Sequence, residues 1–246
     1  MSNLTNEQKE LMEVSAVISN SAYKRGNIGK AREVEKIYGD RFQFLPQYSD
    51  KEHATFMDTK SGKVFLSIRG TDIEDKQGAK SKDLKVDTLV SFGLQKLSNR
   101  YKRSDKKLQS LLDDFGKDDI ILTGHSLGGS LASDLSHKHG VEAHVFNRGG
   151  THHSFGGGFG GLHPSSQKKK EMLHTYYTGS LTPDVLSFAT QIDPLQTAHI
   201  VEPKKLKKSE RGILSAHSVF HFYPENRKQF EANDEGKVVV TQEEIM

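Results

Sequence analysis

Residues 119–128 contain the feature that most constrains how this 246-residue chain can fold. The run Asp119-Ile120-Ile121-Leu122-Thr123 is almost wholly apolar, which is typical of a strand buried in a parallel sheet. It leads directly into Gly124-His125-Ser126-Leu127-Gly128, and small residues follow as far as Ala132. Glycines on both sides of a serine allow a strand to turn sharply into a helix, with the serine in a strained backbone conformation. We therefore predict a buried strand, a tight turn at Ser126 and a helix packed closely on the sheet; a plain glycine-rich turn is the alternative.

Other patterns place this segment within a series of strands and helices. Helical spacing of apolar residues covers residues 5–24, where Thr5 and Gln8 form a predicted capping box, and residues 83–115. Strands are predicted at 141–146 and 172–178, and a hairpin is predicted from 53–58 and 64–68 around a turn at 60–63. This alternation predicts an α/β fold, in which helices flank a mostly parallel central sheet. Because no linker or repeat interrupts it, we expect one domain over residues 1–246.

The composition excludes several classes of protein and chemistry. The chain has no cysteine, so disulfides, thiolate nucleophiles and cysteine-based metal sites are excluded. Covalent catalysis would therefore need another nucleophile, such as a serine hydroxyl. Apolar residues make up 34% of the chain, and no apolar run approaches the ~18 residues that a membrane span needs.

The net charge of +3 is too small to indicate a nucleic-acid partner. Basic residues cluster at 100–107, 168–170 and 204–211; we interpret them as solvated loops, with transient contact to an anionic membrane as the alternative. Charged residues interrupt the N-terminal segment, so it does not resemble a signal peptide. We expect a cytoplasmic location, with non-classical export or packaging in a virion as alternatives.

Ser126 is the candidate nucleophile, and its hydroxyl needs a base and an orienting carboxylate to react at neutral pH. In chains with this turn, the order is serine, acid, histidine. Asp184, shortly after the strand at 172–178, is the preferred acid and Asp193 the alternative. His217 is the preferred base and His221 the alternative. These two histidines, four residues apart, could also suggest a metal site, but no third ligand is evident nearby, and we expect neither a metal nor a cofactor.

An oxyanion hole is the fourth element that this chemistry requires, because backbone N–H groups must face the developing negative charge. One donor is expected from Leu127, directly after the nucleophile. The other is expected from Thr71, because it follows the strand at 64–68 and Gly70 permits close approach of the chain. The glycine-rich segment 156–161 lacks the Gly-Lys-Ser/Thr of a phosphate loop and is predicted to be a loop.

These segments resemble the class 3 (fungal-type) lipases of the α/β-hydrolase superfamily. Ile68-Arg69-Gly70-Thr71 is similar to the oxyanion motif of that family, and residues 123–132 are similar to its serine turn. Residues 83–87 and 146–149, as well as the regions of Asp184 and His217, resemble other family segments more loosely. The resemblance covers about residues 10–223. It implies hydrolysis of acylglycerol, phospholipid or related esters without a cofactor, through Ser126, Asp184 and His217.

Residues 72–82 depart from the family pattern, since fat-hydrolysing members usually carry an apolar lid after the oxyanion loop. Here the segment is almost entirely polar, which favours a soluble ester or a phospholipid over triacylglycerol as substrate. The sequence is also compatible with other functions. The chain could be a phospholipase effector that acts on membranes, a virion-associated lipase, a peptidase or thioesterase, or a binding or structural protein that keeps the fold without catalysis.

Overall fold

A seven-stranded sheet forms the centre of the structure. The computed structural model describes residues 4–70, 93–148, 171–178, 196–201, 218–224, 230–232 and 238–240. In order across the sheet, the strands are β1 (Phe42–Phe44), β2 (His53–Asp58), β3 (Val64–Ile68), β4 (Ile120–His125), β5 (Glu142–Phe146), β6 (Leu173–Thr178) and β7 (Thr197–Val201). Strands β1 to β3 pair antiparallel, and β3 to β7 pair parallel. The predicted α/β class with a mostly parallel sheet is confirmed.

Helices pack on both faces of this sheet. They are α1 (Asn6–Ser21), α2 (Gly26–Tyr38), α3 (Gly93–Phe115) and α4 (Leu127–His139). Helices α1 and α2 share one apolar core with Ile121 of β4, whereas α3 and α4 share the other with Ile120 and Leu122. This split follows from the alternation of side chains along a strand. None of the helices in the described part of the chain is long and apolar enough to cross a membrane.

Elements with strong local signals lie where the sequence predicts them. The capping box of α1 is formed, with the Gln8 N–H donating to Thr5 Oγ1 (3.2 Å) and the Thr5 N–H to Gln8 Oε1 (3.0 Å). The hairpin of β2 and β3 is confirmed, and so is the helix at Gly93–Phe115, whose predicted residues 83–92 lie outside the described residues. The predictions missed α2, β1, β7 and a separate two-stranded sheet of β8 (Phe230–Ala232) and β9 (Val238–Val240).

A buried ion pair ties the hairpin to the first helix. Arg41 donates to both carboxylate oxygens of Asp58, at 3.0 and 2.9 Å, and its third nitrogen donates to Glu10 of α1 at 2.6 Å. Burial alone would raise the pKa of Asp58. Hydrogen bonds from Arg41, the Lys60 N–H and Ser61 outweigh that effect and hold this pKa below its usual value. The folded state therefore favours the charged carboxylate.

Replacing Asp58 by asparagine should lower the free energy of unfolding at pH 7 by about 2–3 kcal/mol, because the neutral side chain at this buried position no longer pairs with the half-buried Arg41 guanidinium. The Asp58 carboxylate contributes stability above the unfolded-state pKa of about 4, and this contribution is lost as pH falls through the lower folded-state pKa. Acid destabilisation should thus be shallower in the variant. Urea denaturation between pH 3 and 7 measures both effects. Glu10→Gln is the control: it removes the exposed partner of the same arginine and should cost under about 0.5 kcal/mol. Equal losses in the two variants would contradict the prediction.

Backbone contacts without intervening side chains join α4 to the centre of the sheet. A Cβ added to Gly128 would overlap the carbonyl oxygen of Ile68, at the end of β3, and would lie 2.9 Å from the Gly70 nitrogen. A Cβ added to Gly124 would lie 2.5 Å from the carbonyl carbon of Gly128. Only glycine therefore permits the first turn of α4 to lie directly against the carboxyl end of β3.

Gly128→Ala should destabilise the chain by several kcal/mol or abolish soluble expression, because the overlapping atoms belong to the backbone and cannot move aside cheaply. The matched control is Gly29→Ala in α2. A Cβ there would have ordinary contacts, the nearest at 3.5 Å, and the change should stabilise the helix by about 0.5–1 kcal/mol. Thermal and urea unfolding measure both. If Gly128→Ala were as stable as Gly29→Ala, the close contact with β3 would be wrong.

Candidate active site

Ser126 occupies the sharp turn between β4 and α4. Its backbone has φ 56° and ψ −125°, a region that non-glycine residues rarely adopt. Its N–H donates to the carbonyl of Phe146, the last residue of β5 (3.1 Å), and its side chain makes no capping hydrogen bond to α4. The predicted strand, strained turn and helix are therefore present. The Ser126 hydroxyl does not cap the helix.

The first turn of α4 begins directly after this serine. Leu127 is the first residue of the helix. Backbone N–H groups in the first turn have no partner inside the helix, and the helix dipole favours negative charge at this end. The N–H of Leu127 thus has the position and chemistry predicted for an oxyanion donor.

The chain that leaves β3 runs beside the residue before the candidate nucleophile. The Gly70 N–H donates to the hydroxyl of Tyr23 (3.1 Å), and this hydroxyl lies 3.3 Å from both the carbonyl oxygen and Nδ1 of His125. A Cβ on Gly70 would collide with the Tyr23 hydroxyl. The Gly70 N–H is therefore already used by Tyr23 and is not available to an oxyanion. Thr71, the predicted donor, is the next residue and lies outside the described residues.

A buried arginine holds the carbonyls at the end of β3. Arg100 of α3 donates through Nη2 to the carbonyl oxygens of Arg69 (2.5 Å) and Gly70 (3.5 Å). Burial lowers the pKa of Arg100, and nearby Glu52, 3.8 Å from Nε, acts in the opposite direction. The Glu52 carbonyl in turn accepts the N–H of Arg69 (2.9 Å). No sequence pattern predicted the contacts of Arg100 with Arg69 and Gly70, because these residues lie about 30 positions apart in the chain.

The basic cluster at 100–107 is partly neutralised by carboxylates. Arg103 makes two hydrogen bonds of 2.8 Å to Glu52, and Lys107 lies 3.4 Å from Asp50. The cluster lies in helix α3 and not in a solvated loop as predicted, and Arg100 is mostly buried. The other basic clusters, at 168–170 and 204–211, lie outside the described residues.

The predicted acids and the preferred base also lie outside the described residues. They are Asp184, Asp193 and His217, and the segments 72–82 and 156–161 are likewise not described. His221, the alternative base, is buried in the short turn Val219–Phe222. The next residue, Phe222, packs on Phe146 with ring centroids 5.0 Å apart, which puts this turn near the carboxyl end of β5.

A serine–histidine–aspartate array lies away from Ser126, and no sequence pattern predicted it. Asp50 Oδ1 lies 2.8 Å from His53 Nδ1, and His53 Nε2 lies 2.8 Å from Ser104 Oγ. However, Ser104 is only 1% exposed and lies in the interior of α3, where backbone N–H groups are used within the helix. The array joins α3 to β2, but its serine is buried and the neighbouring N–H groups of α3 are not available to an oxyanion.

Further polar contacts join the carboxyl ends of β5 and β6. Asn147, directly after β5, has φ 41°, and its side chain accepts from the Thr178 N–H (3.0 Å) and donates to Thr178 Oγ1 (3.1 Å). The fully buried Arg148 donates to Gln196 Oε1 at 2.8 and 3.1 Å. These side chains thus hold the end of β5, which lies next to Ser126, against β6 and the start of β7.

Comparisons with known proteins give a family and distant structural neighbours. The family model of Tle-like phospholipase domains matches residues 19–215. No curated protein matches the chain. Among solved structures, the chain is similar to the lipase of Rhizopus microsporus var. chinensis, with 14% identity and a TM-score of 0.37 over 59% of each chain. It is also similar to the native Rhizomucor miehei lipase propeptide complex, with 11% identity and a TM-score of 0.44 over 89% of this chain and 78% of that one.

The chain thus spans about three fifths of the length of the Rhizopus lipase. The family model, by contrast, covers well over half of this chain. The chain belongs to the family of Tle-like phospholipase domains.

Proposed function

We propose that this protein hydrolyses carboxylic esters of lipids, and that phospholipids are its main substrates. The observation that carries the proposal is the backbone of Ser126, with φ 56° between a buried parallel strand and a helix N-terminus. Such strain persists only where the surrounding structure enforces it, and it is concentrated at functional sites. The name of the matching family and the polar segment 72–82 both favour phospholipids over triacylglycerol.

In the proposed mechanism, Ser126 Oγ attacks the ester carbonyl while His217 takes its proton. The N–H groups of Leu127 and Thr71 stabilise the oxyanion of the tetrahedral intermediate. His217 then protonates the leaving alcohol, and Asp184 orients the imidazole and stabilises its positive charge. Water, activated by His217, hydrolyses the acyl-enzyme. The order of these residues is that of the class 3 lipases which the sequence resembles.

Described residues next to each proposed partner support this arrangement. Gly70, before Thr71, lies against the first turn of α4. Ser218, after His217, begins the turn whose Phe222 packs on the carboxyl end of β5. Thr178, six residues before Asp184, ends β6 at the same edge of the sheet as Ser126. The described neighbours of the proposed residues thus lie near the edge that carries Ser126, which supports the proposal.

The strand ends of the sheet favour Asp184 over Asp193 as the acid. Asp184 follows β6, which ends at Thr178, at the same edge of the sheet as Ser126. Asp193 instead precedes β7, whose first residue, Thr197, lies level with Thr123 of β4. Asp193 therefore does not follow the carboxyl end of a strand, where parallel sheets of this kind place their sites.

Ser126→Ala should lower kcat by at least about a thousandfold on p-nitrophenyl esters and on phospholipid vesicles, because no other group supplies the nucleophile. It should also abolish labelling by a fluorophosphonate probe. The matched control is Ser104→Ala, which removes the serine of the buried array. The control should retain activity and labelling, with lower stability because His53 loses a hydrogen bond. Unchanged hydrolysis in Ser126→Ala would refute the proposed nucleophile.

Asp184→Asn should reduce kcat by about 10³- to 10⁴-fold, because the imidazole would lose the partner that holds its tautomer and stabilises its charge. Asp193→Asn should stay within about tenfold of the wild type. Both variants are measured with the same ester at saturating concentration, after circular dichroism has shown that each is folded. The reverse result, with Asp193→Asn as the inactive variant, would assign the acid to Asp193.

A further inference from the structure

A row of stacked histidines crosses β5, β6 and β7, on the face of the sheet that packs against α1. His144 pairs with His174 in the β5–β6 ladder, and their rings lie 4.8 Å apart at 12°. The ring of His199 on β7 lies 5.5 Å from that of His174, at 18°. His144 and His174 lie level with Thr123 of β4, three residues before Ser126. The mechanism proposed above uses none of these residues.

Glu142 adds a carboxylate at the solvent side of this row. Its Oε1 lies 2.8 Å from His144 Nε2, and one ligand atom from each of Glu142, His144 and His174 can be chosen so that all lie within 4.8 Å of one another. A tetrahedral site with bonds of about 2.0–2.1 Å separates its ligand atoms by about 3.4 Å. The longest separation would therefore have to shorten by up to about 1.4 Å, while Glu142 Oε1 and His144 Nε2 would have to separate by about 0.6 Å. The two imidazole planes, which lie at 12°, would have to tilt so that both face one ion. The Glu142 side chain is 41% exposed and can make its share of this adjustment without disturbing the core.

The outer nitrogens of both imidazoles are already held by neighbouring side chains. His144 Nδ1 lies 2.9 Å from the Tyr176 hydroxyl, and His174 Nδ1 lies 3.2 Å from His199 Nε2. Such outer contacts fix the orientation of metal-binding histidines in proteins generally. His199 Nδ1 is buried and has no hydrogen-bond partner within the described part of the chain. The described residues therefore do not satisfy the whole row.

We propose that Glu142, His144 and His174 bind one Zn²⁺ ion, which leaves its fourth coordination position open to water. Two imidazoles and one carboxylate are a ligand set that suits Zn²⁺, whereas Mg²⁺ and Ca²⁺ prefer oxygen ligands alone. The ion joins β5 to β6 at the level of Ile121 and Thr123 of β4. It holds two strands of the parallel sheet together.

Isothermal titration of the full, metal-free chain with Zn²⁺ tests the proposal, and Co²⁺ titration followed by visible absorption reports the coordination geometry. The wild type should bind one ion, and bound Zn²⁺ should raise its Tm. Glu142→Gln and His174→Gln should each weaken binding by at least about tenfold. Glu142→Gln alters a half-exposed side chain, so its loss of binding cannot be ascribed to unfolding.

Two control variants test whether Zn²⁺ binds at this site and not at another part of the chain. His139→Gln removes a histidine that pairs with Asp105 (2.6 Å) away from the row, and Ser126→Ala alters the candidate active site. Both should bind Zn²⁺ like the wild type. The proposal is overturned if the wild type does not bind Zn²⁺ at micromolar concentration, or if Glu142→Gln and His174→Gln bind it as tightly as His139→Gln.

Discussion

The backbone contact between Gly128 and Ile68 is the constraint on which the candidate active site depends. No side chain fits between the first turn of α4 and the end of β3, so the two backbones touch directly. The contact brings the N–H of Leu127 close to the chain that leaves β3 at Gly70. Two backbone donors can face one oxyanion only if the segments that carry them lie this close. Gly128 is therefore required both for the packing of α4 on β3 and for the proposed oxyanion hole.

The strain at Ser126 is held by contacts on every side of the turn. Its N–H is bound by the carbonyl of Phe146, and β4 pairs with a parallel strand on both sides. The neighbouring turn at Asn147 also has a positive φ, and two hydrogen bonds to Thr178 anchor it. Strained residues persist where the structure around them leaves no alternative. A buried strand between two others supplies that rigidity, whereas an edge strand would not.

Sequence patterns predicted those parts of the fold that depend on interactions between residues close together in the chain. The capping box at Thr5, the hairpin of β2 and β3 and the turn at Ser126 each depend on residues close together in sequence. Helix α2 was missed because two glycines and many charges weaken its pattern, and β7 because Thr197–Val201 has no apolar run. The Asp50–His53–Ser104 array and the histidine row could not be predicted, since both depend on the alignment of distant elements. In the candidate site, the sequence predicted the turn at Ser126. It did not predict the hydrogen bonds by which Arg100 holds the chain that leaves β3.

The position of Arg100 adds an electrostatic argument for the proposed oxyanion hole. Its guanidinium lies 3.5 Å from the carbonyl oxygen of Gly70, which belongs to the peptide group that also contains the N–H of Thr71. A cation bound to the carbonyl polarises that peptide and makes its N–H a stronger donor. In the proposed mechanism, Arg100 therefore strengthens the oxyanion donor of Thr71 without touching the substrate.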